Sequence, residues 1–120
     1  EMFYAEKNNG AFFNNHRIRV SKKHDINECL FAVGKISHET DIISRRSGCA
    51  ALDMAYVASG RYDGYFQNNL NLWDIAAGII MIKEAGGIIN EIDLTSLKNI
   101  KVLASSTEIN AKFIKKIDNF

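Results

Sequence analysis

The residue best placed to do chemistry is Asp74, a carboxylate in the first turn of a predicted helix. The helix begins after Asn71 and ends at Gly86 and Gly87, because asparagine favours the position before a helix and glycine the conformation that closes one. The helix dipole stabilises an ionised carboxylate at this position. Asp74 is therefore either a cap that, with Asn71, satisfies N–H groups of its own helix, or an oxygen ligand for a hard cation.

A second helix is predicted to open with the small residues Ser-Gly-Cys-Ala at positions 47–50 and to end at Gly60. Small residues let a ligand come close to the backbone N–H groups of a helix start, which bind phosphate well. An ionised Asp74 beside this helix start could hold a cation over a bound phosphate. Asp63 lies between the two helices, and Gly64 after it favours a turn residue before a strand over a functional carboxylate.

Short apolar segments and further helices must position these residues. Strands are predicted at residues 2–7, 11–13, 17–20, 28–34, 42–46, 62–67, 88–92 and 101–105, and a last helix follows Thr107. The first three strands turn at Asn8-Asn9-Gly10 and at Asn14-Asn15 and form a meander. The helix after Asn71 is apolar on nearly every side, which predicts burial on nearly every side. These elements predict a layered α/β fold, a mixed β-sheet flanked by helices and entered through a β meander.

The composition limits the possible functions. The chain has 120 residues, 47% of them hydrophobic, which suits one modest domain with its own core. A net charge of +1 gives no support for nucleic-acid or membrane-surface binding, and no apolar stretch is long enough to span a membrane. The two cysteines, Cys29 and Cys49, are too few for a small disulfide-stabilised domain, so we expect a reduced, cytoplasmic setting. His38, Glu39 and Asp41 are close in sequence, but an exposed loop is favoured over a metal site because nothing fixes their geometry.

Several segments resemble those of a known family. Residues 73–78, WDIAAG, and residues 84–87, EAGG, resemble the C-terminal signature of the inositol monophosphatase family at the family's spacing. Residues 45–52, RRSGCAAL, resemble a family segment in which serine is usual at the place of Cys49. The similarity continues through residues 56–66 and includes the hairpin at residues 3–14, so it covers almost the whole chain.

This resemblance implies a magnesium-dependent hydrolase of small phosphate monoesters such as inositol phosphates. Asp74 corresponds to the family's late metal ligand, which also lies near the substrate hydroxyls. Gly48, Cys49 and Ala50 correspond to a helix start that contacts the substrate. Gln67 stands where the family usually has a glutamate that hydrogen-bonds a substrate hydroxyl, and glutamine can still donate or accept there but lacks the charge.

The resemblance also indicates what the sequence lacks. The family's other metal ligands come from an earlier glutamate and an Asp-Pro-x-Asp-Gly-Thr type of motif, and neither occurs in these residues. The link between Gly34 and Arg45 is shorter than in the family, which usually has a helix there. Since Glu1 to Phe3 already follow a strand-like pattern, we expect an internally shortened C-terminal portion. Residues 1–25 would then be a meander from the end of an N-terminal half, and residues 26–120 a C-terminal α/β domain.

Three functions follow from the sequence. The first is an inositol-1-monophosphatase type of phosphatase with Mg²⁺ as cofactor and no membrane partner, whose portion present here is inactive alone. The second is a regulatory protein that binds the transcription machinery and RNA, which resembles some bacterial members of the family. The third is a degenerate, non-catalytic remnant of the phosphatase. A homodimer is compatible with each of them.

Overall fold

The computed structural model describes residues 2–34, 42–45 and 47–117. The strands in these residues are β1 (Phe3–Glu6), β2 (Gly10–Phe13), β3 (His16–Arg17), β4 (Leu30–Val33), β5 (Ile43–Arg45), β6 (Gly64–Leu70), β7 (Ile88–Ile89) and β8 (Ile100–Ser105). The helices are α1 (Ala50–Ala58), α2 (Leu72–Glu84) and α3 (Asn110–Ile117), with a 3₁₀ turn at Ile26–Glu28. The loop that contains His38, Glu39 and Asp41 lies outside the described residues.

The strands form two separate sheets. Strands β1, β2 and β3 are antiparallel neighbours in a three-stranded meander, as the sequence predicts. The second sheet has the order β5-β4-β6-β8-β7. In it β4 is parallel to β5 and β6, whereas β8 is antiparallel to β6 and β7, so the predicted mixed sheet is confirmed.

The two faces of the mixed sheet carry two different hydrophobic clusters. Successive side chains of a strand point to opposite faces. Tyr65 accordingly packs with α1 and α2 on one face, and Phe66 packs with α3 on the other. Phe31 stacks on Phe113 of α3 at a centroid distance of 4.3 Å. The predicted layers of helix on both sides of the sheet are therefore present.

Helices α1 and α2 pack closely at Gly78. A Cβ at this position would lie 2.7 Å from Met54 Sδ and 2.9 Å from Met54 Cβ, so only glycine lets the two helices approach this far. Because both helices begin at the same end of the sheet, this contact fixes their N-termini relative to each other.

The prediction that α2 is buried on nearly every side is wrong in this structure. Ile75, Gly78, Met81 and Ile82 are its buried residues. On the opposite face Trp73 exposes 65% and Ile80 43% of its surface, since no described residue covers them. An all-apolar helix has no polar stripe to indicate its outer face, so the sequence could not show this.

Two predicted strands end earlier than expected because other groups take over their hydrogen bonds. After β3 the chain leaves the meander, and Val20 donates its N–H to the carbonyl of Ala85 at the end of α2. After β7 the Asn90 side chain accepts from the N–H of Leu103 and donates to the carbonyl of Lys101.

The last helix begins at Asn110 rather than after Thr107, because residues 107–109 form a turn.

The meander packs directly on the helices. Arg61, after α1, lies 4.9 Å from the ring centroids of Phe13 and Tyr56 and 5.7 Å from that of Phe3, within cation–π range. At the far end of α2, the Glu84 carboxylate accepts the backbone N–H groups of Asn8 and Gly10, each at 2.9 Å. Residues on both sides of position 25 thus pack together, and the domain boundary at that position stays a prediction.

Candidate functional site

One cavity of about 500 Å³ opens between α1, β6 and α2. All five residues that the sequence singles out for substrate or metal binding line it: Gly48, Cys49, Ala50, Gln67 and Asp74. They come from three segments that are separate in sequence. The sequence reasoning missed four further lining residues, which are Ala51, Tyr65, Leu70 and Trp73.

Two helices begin at this cavity without a side-chain cap. Cys49 precedes α1 and Asn71 precedes α2, and neither side chain accepts a hydrogen bond from its helix. The prediction that Asn71 caps α2 with its side chain is therefore wrong, although it holds the capping position with extended backbone. Uncapped helix starts carry partial positive charge, so two of them at one cavity favour an anionic ligand.

The Asp74 carboxylate faces this electropositive end of the molecule. It lines the cavity from the first turn of α2 and is exposed. Within residues 2–34, 42–45 and 47–117, no side chain or backbone group forms a hydrogen bond or ion pair with it. Its backbone N–H is bonded instead to the carbonyl of Asn71 at 3.0 Å. The carboxylate is thus available to an external ligand rather than engaged as a cap.

A glycine just after the neighbouring strand makes room for the side chain of Gln67. Gly34, just after β4, donates its N–H to the carbonyl of Phe66 at 2.7 Å. A Cβ at Gly34 would overlap the side-chain amide of Gln67, so the amide lies directly over the glycine. The absence of a side chain at Gly34 thus gives the Gln67 amide its space at the cavity wall.

Below the start of α1 lies a buried carboxylate, Asp53, that the sequence reasoning also missed. Asp53 exposes 4% of its surface, and its Oδ1 accepts the hydroxyl of Ser47 at 2.6 Å. Burial raises the pKa of Asp53, and the hydrogen bond from Ser47 partly opposes this shift. A serine three residues before the first helical residue, followed by an aspartate in the first turn, was the available signal.

Tyr65 forms the buried wall of the cavity. It exposes 1% of its surface, and burial raises the pKa of its phenol well above the ordinary value. The neighbouring carboxylates of Asp53 and Asp74 act in the same direction. Tyr65 is therefore a neutral group that can donate or accept a hydrogen bond.

The two cysteines differ in their surroundings. Cys49 is exposed at the cavity, and its N–H is bonded to Ser47 Oγ at 3.1 Å. Cys29 is buried beneath the opposite face of the sheet, where burial is the main cause that raises its pKa to about 11. Only Cys49 of this pair can contact a ligand in the cavity.

Asp63 has a structural role. Its side chain is buried beside β4, where Oδ2 accepts the N–H of Leu30 at 2.8 Å and the ammonium group of Lys23 at 3.3 Å. Its backbone carbonyl also accepts the N–H of Ser106. Asp63 therefore joins the segment after the meander to the sheet, in agreement with the interpretation that it is not a site residue.

A fold with a mixed sheet between helices, and a cavity where two helices begin beside an aspartate, is typical of α/β phosphate-binding enzymes. The sequence model described as "Inositol monophosphatase family" matches residues 1–119. The chain belongs to the inositol monophosphatase family.

Relatives and solved structures agree with this assignment. An inositol-1-monophosphatase of Caulobacter vibrioides is 34% identical, with 98% of this chain and 54% of the relative covered. The Nus factor SuhB of Escherichia coli K12 is 36% identical, with 96% and 48% covered. The crystal structure of the extragenic suppressor protein SuhB from Bartonella henselae superposes with a TM-score of 0.82 at 35% identity, over 98% of this chain and 52% of that one.

The chain spans about half the length of the curated relatives that it matches. The comparison with the Caulobacter relative extends over 137 positions, more than the 120 residues of this chain, so that relative carries additional residues inside the matched region. This agrees with the expectation that the chain is internally shortened, and its place at the C-terminal side of a longer protein stays a prediction.

Proposed function

We propose that this chain forms the C-terminal side of a Mg²⁺-dependent phosphomonoesterase site of the inositol-1-monophosphatase type. The observation that carries the proposal is the cavity itself. The start of α1, Gln67 on β6 and Asp74 on α2 converge there from three separate segments. Members of the family act on phosphate monoesters, and the two uncapped helix starts suit the phosphate group.

Each predicted site residue has a role in this proposal. Backbone N–H groups around Gly48 and Ala50 bind phosphate oxygens, while the Cys49 side chain lines the wall. Gln67 hydrogen-bonds a hydroxyl of the substrate, since its amide can both donate and accept. Asp74 supplies an oxygen to the cation and lies beside the substrate hydroxyls.

The residues fit a cation only in part. Asp74 is a hard oxygen ligand of the type that Mg²⁺ prefers. In the described part of the chain, however, no three His, Cys, Asp or Glu residues are grouped to hold a metal ion. When bound, such a cation stabilises charge on the phosphate and its leaving oxygen. Because Mg²⁺ requires several oxygens around it, we expect the isolated chain to be inactive.

Complementation tests this proposal. The chain would be co-expressed with the part of the Caulobacter vibrioides protein that lies outside the matched region. Phosphate release from inositol 1-phosphate is then expected only from the combination, and only with Mg²⁺. Each part alone, at the same concentration, is the control. Robust turnover by this chain alone, or none by a well-folded combination, would contradict the proposal.

The cytoplasm is the proposed location of this activity. Cys29 and Cys49 are both free thiols, which agrees with a reducing compartment. No helix in the described part of the chain has the length and apolar character needed to cross a membrane. A homodimer stays part of the proposal, and sedimentation of the purified chain tests it.

A regulatory function is the second candidate, because several relatives carry the name Nus factor SuhB. In this chain Lys112, Lys115 and Lys116 of α3 give one surface a basic character that suits the transcription machinery or RNA. Capture of RNA polymerase from a lysate, compared with a variant in which Lys115 and Lys116 are glutamate, tests it. Equal capture of RNA polymerase by the chain and by the variant would count against this regulatory function. The third alternative, a non-functional remnant, would be favoured if the purified chain were insoluble under all conditions.

A further inference from the structure

Tyr65 carries a hydroxyl that the described part of the chain leaves without a partner. It is the most buried of the four tyrosines, with 1% of its surface exposed. No side chain or backbone group in residues 2–34, 42–45 and 47–117 forms a hydrogen bond with its Oη, whereas the more exposed Tyr4 donates its hydroxyl to Asn15 Oδ1 at 3.0 Å. A buried hydroxyl without a partner destabilises a fold, and phenylalanine would fill the same space. The hydroxyl of Tyr65 is therefore expected to have a partner outside these residues.

The small part of Tyr65 that remains accessible lines the cavity between α1, β6 and α2. The carboxylates of Asp53 on α1 and Asp74 on α2 both act on its phenol. Because charges act strongly only over short distances, the phenol group itself lies between the two helices. Burial, followed by these charges, raises the pKa of Tyr65, so the phenol keeps its proton and can donate it to a ligand.

Tyr65 and Gln67 present their side chains on the same face of β6. They are two positions apart, and alternate residues of a strand share a face, with Cα atoms about 7 Å apart. Both line the cavity. Tyr65 offers a hydroxyl donor, the Gln67 amide can donate and accept, and the Asp74 carboxylate accepts only. Together they form a set that suits a small molecule with several hydroxyl groups.

We propose that Tyr65 is a specificity-determining residue of this cavity, whose hydroxyl donates a hydrogen bond to a substrate hydroxyl beside the one that Gln67 contacts. The inference rests on the proposed function, because it takes the substrate to be the phosphate monoester of a polyol. Tyr65 binds the polyol part of that substrate and takes no part in cleavage of the phosphate ester. A phosphate monoester without hydroxyl groups therefore gains nothing from the phenol.

Tyr65→Phe tests this inference because it removes the hydroxyl and keeps the buried ring. In the complemented enzyme at saturating Mg²⁺, it should lower kcat/KM for inositol 1-phosphate about three- to tenfold, as expected for one neutral hydrogen bond. The loss should appear mainly in KM, since the contact is made in the bound substrate as well as in the transition state. The value of kcat/KM for 4-nitrophenyl phosphate, which has no hydroxyl group, should be unchanged.

Tyr62→Phe is the matched control. Tyr62 lies just before β6, packs edge-on against Tyr56 and does not line the cavity. Loss of its hydroxyl should leave kcat/KM for both substrates as in the unsubstituted enzyme.

Thermal unfolding of this chain alone gives a second measurement that needs no activity. Tyr65→Phe should unfold at the same temperature as the unsubstituted chain or at a higher one, because it removes a buried hydroxyl that has no described partner. A hydroxyl that served the fold would instead lower the Tm when removed.

The outcomes separate this inference from the proposed function. An unchanged kcat/KM for inositol 1-phosphate, an equal loss on both substrates, or a lower Tm in Tyr65→Phe would overturn the role of Tyr65 and leave the proposed function in place. No turnover of either substrate by the well-folded combination would overturn the proposed function and this inference with it.

Discussion

Helix α2 carries a carboxylate in the first turn and another in the last, and the two have opposite surroundings. Asp74 lies where the helix dipole favours a negative charge, yet no described group binds it. Glu84 lies where the dipole disfavours one, yet it accepts two backbone N–H groups of the meander. The difference shows that Glu84 is engaged in holding the fold together, whereas the exposed Asp74 carboxylate has no such partner among the described residues.

The largest difference between the two carboxylates is expected in activity. In the complemented enzyme, Asp74→Asn should lower kcat/KM by on the order of a hundredfold or more, because a metal ligand is lost. Glu84→Gln should leave kcat/KM within about threefold, since it does not line the cavity. Phosphate release at saturating Mg²⁺ measures both. Similar losses in the two variants would remove the distinction between a functional and a structural end of α2.

Asp63 extends the comparison to a buried carboxylate. Asp63→Ala should lower the free energy of unfolding by roughly 2–4 kcal/mol, because it leaves the N–H of Leu30 and the charge of Lys23 without their partner. Urea unfolding of the chain measures this loss. Asp93→Ala, which removes an exposed carboxylate from Thr95, should leave the urea midpoint nearly unchanged. A loss for Asp63→Ala no larger than that for Asp93→Ala would contradict its structural role.

Gly78 lies between the two ends of α2, where the helix packs against Met54 of α1. A substitution at Gly78 tests whether this contact fixes α2 against α1. Gly78→Ala should destabilise the chain by about 1 kcal/mol, since overpacking against Met54 exceeds the gain in helix propensity. Thermal unfolding compares it with Ala77→Gly on the exposed face, which should cost a similar amount through propensity alone. Gly78→Ala should cost less in a Met54→Ala background than in the unsubstituted chain, and an equal cost in both backgrounds would argue against this contact.

The smallest expected effect concerns pH. The backbone N–H of Asn8, followed by that of Gly10, holds the pKa of Glu84 below its ordinary value of 4.5. The folded state therefore releases the Glu84 proton more readily than the unfolded state. The resulting stabilisation is complete above the ordinary pKa and is lost as the pH falls through the lowered value. The Tm difference between the unsubstituted chain and Glu84→Gln should shrink from pH 7 to pH 3. A constant difference would mean that the charge is not what binds the hairpin.

Local patterns were enough to predict most of the fold and the residues around the cavity. Asn8-Asn9-Gly10 indicates the hairpin, and the resemblance to the family assigns Gly48, Gln67 and Asp74 to one site. The exposed face of α2 was missed because Trp73 and Ile80 are as apolar as the buried residues beside them. The buried Asp53 was missed because a carboxylate in a helix is normally exposed, and its burial depends on packing that only the fold creates.

The two hydrogen bonds between the Glu84 carboxylate and the hairpin have a practical consequence for spectroscopy. Glu84 lies ten positions after Asp74 in the helix, which corresponds to about 15 Å at 1.5 Å per residue. In a Cys49→Ser background, which removes the exposed thiol at the cavity, Lys7→Cys at the exposed tip of the hairpin can therefore carry a fluorophore. Its emission would report on whether the meander stays attached, while the dye remains too far from the cavity to compete with a phosphate.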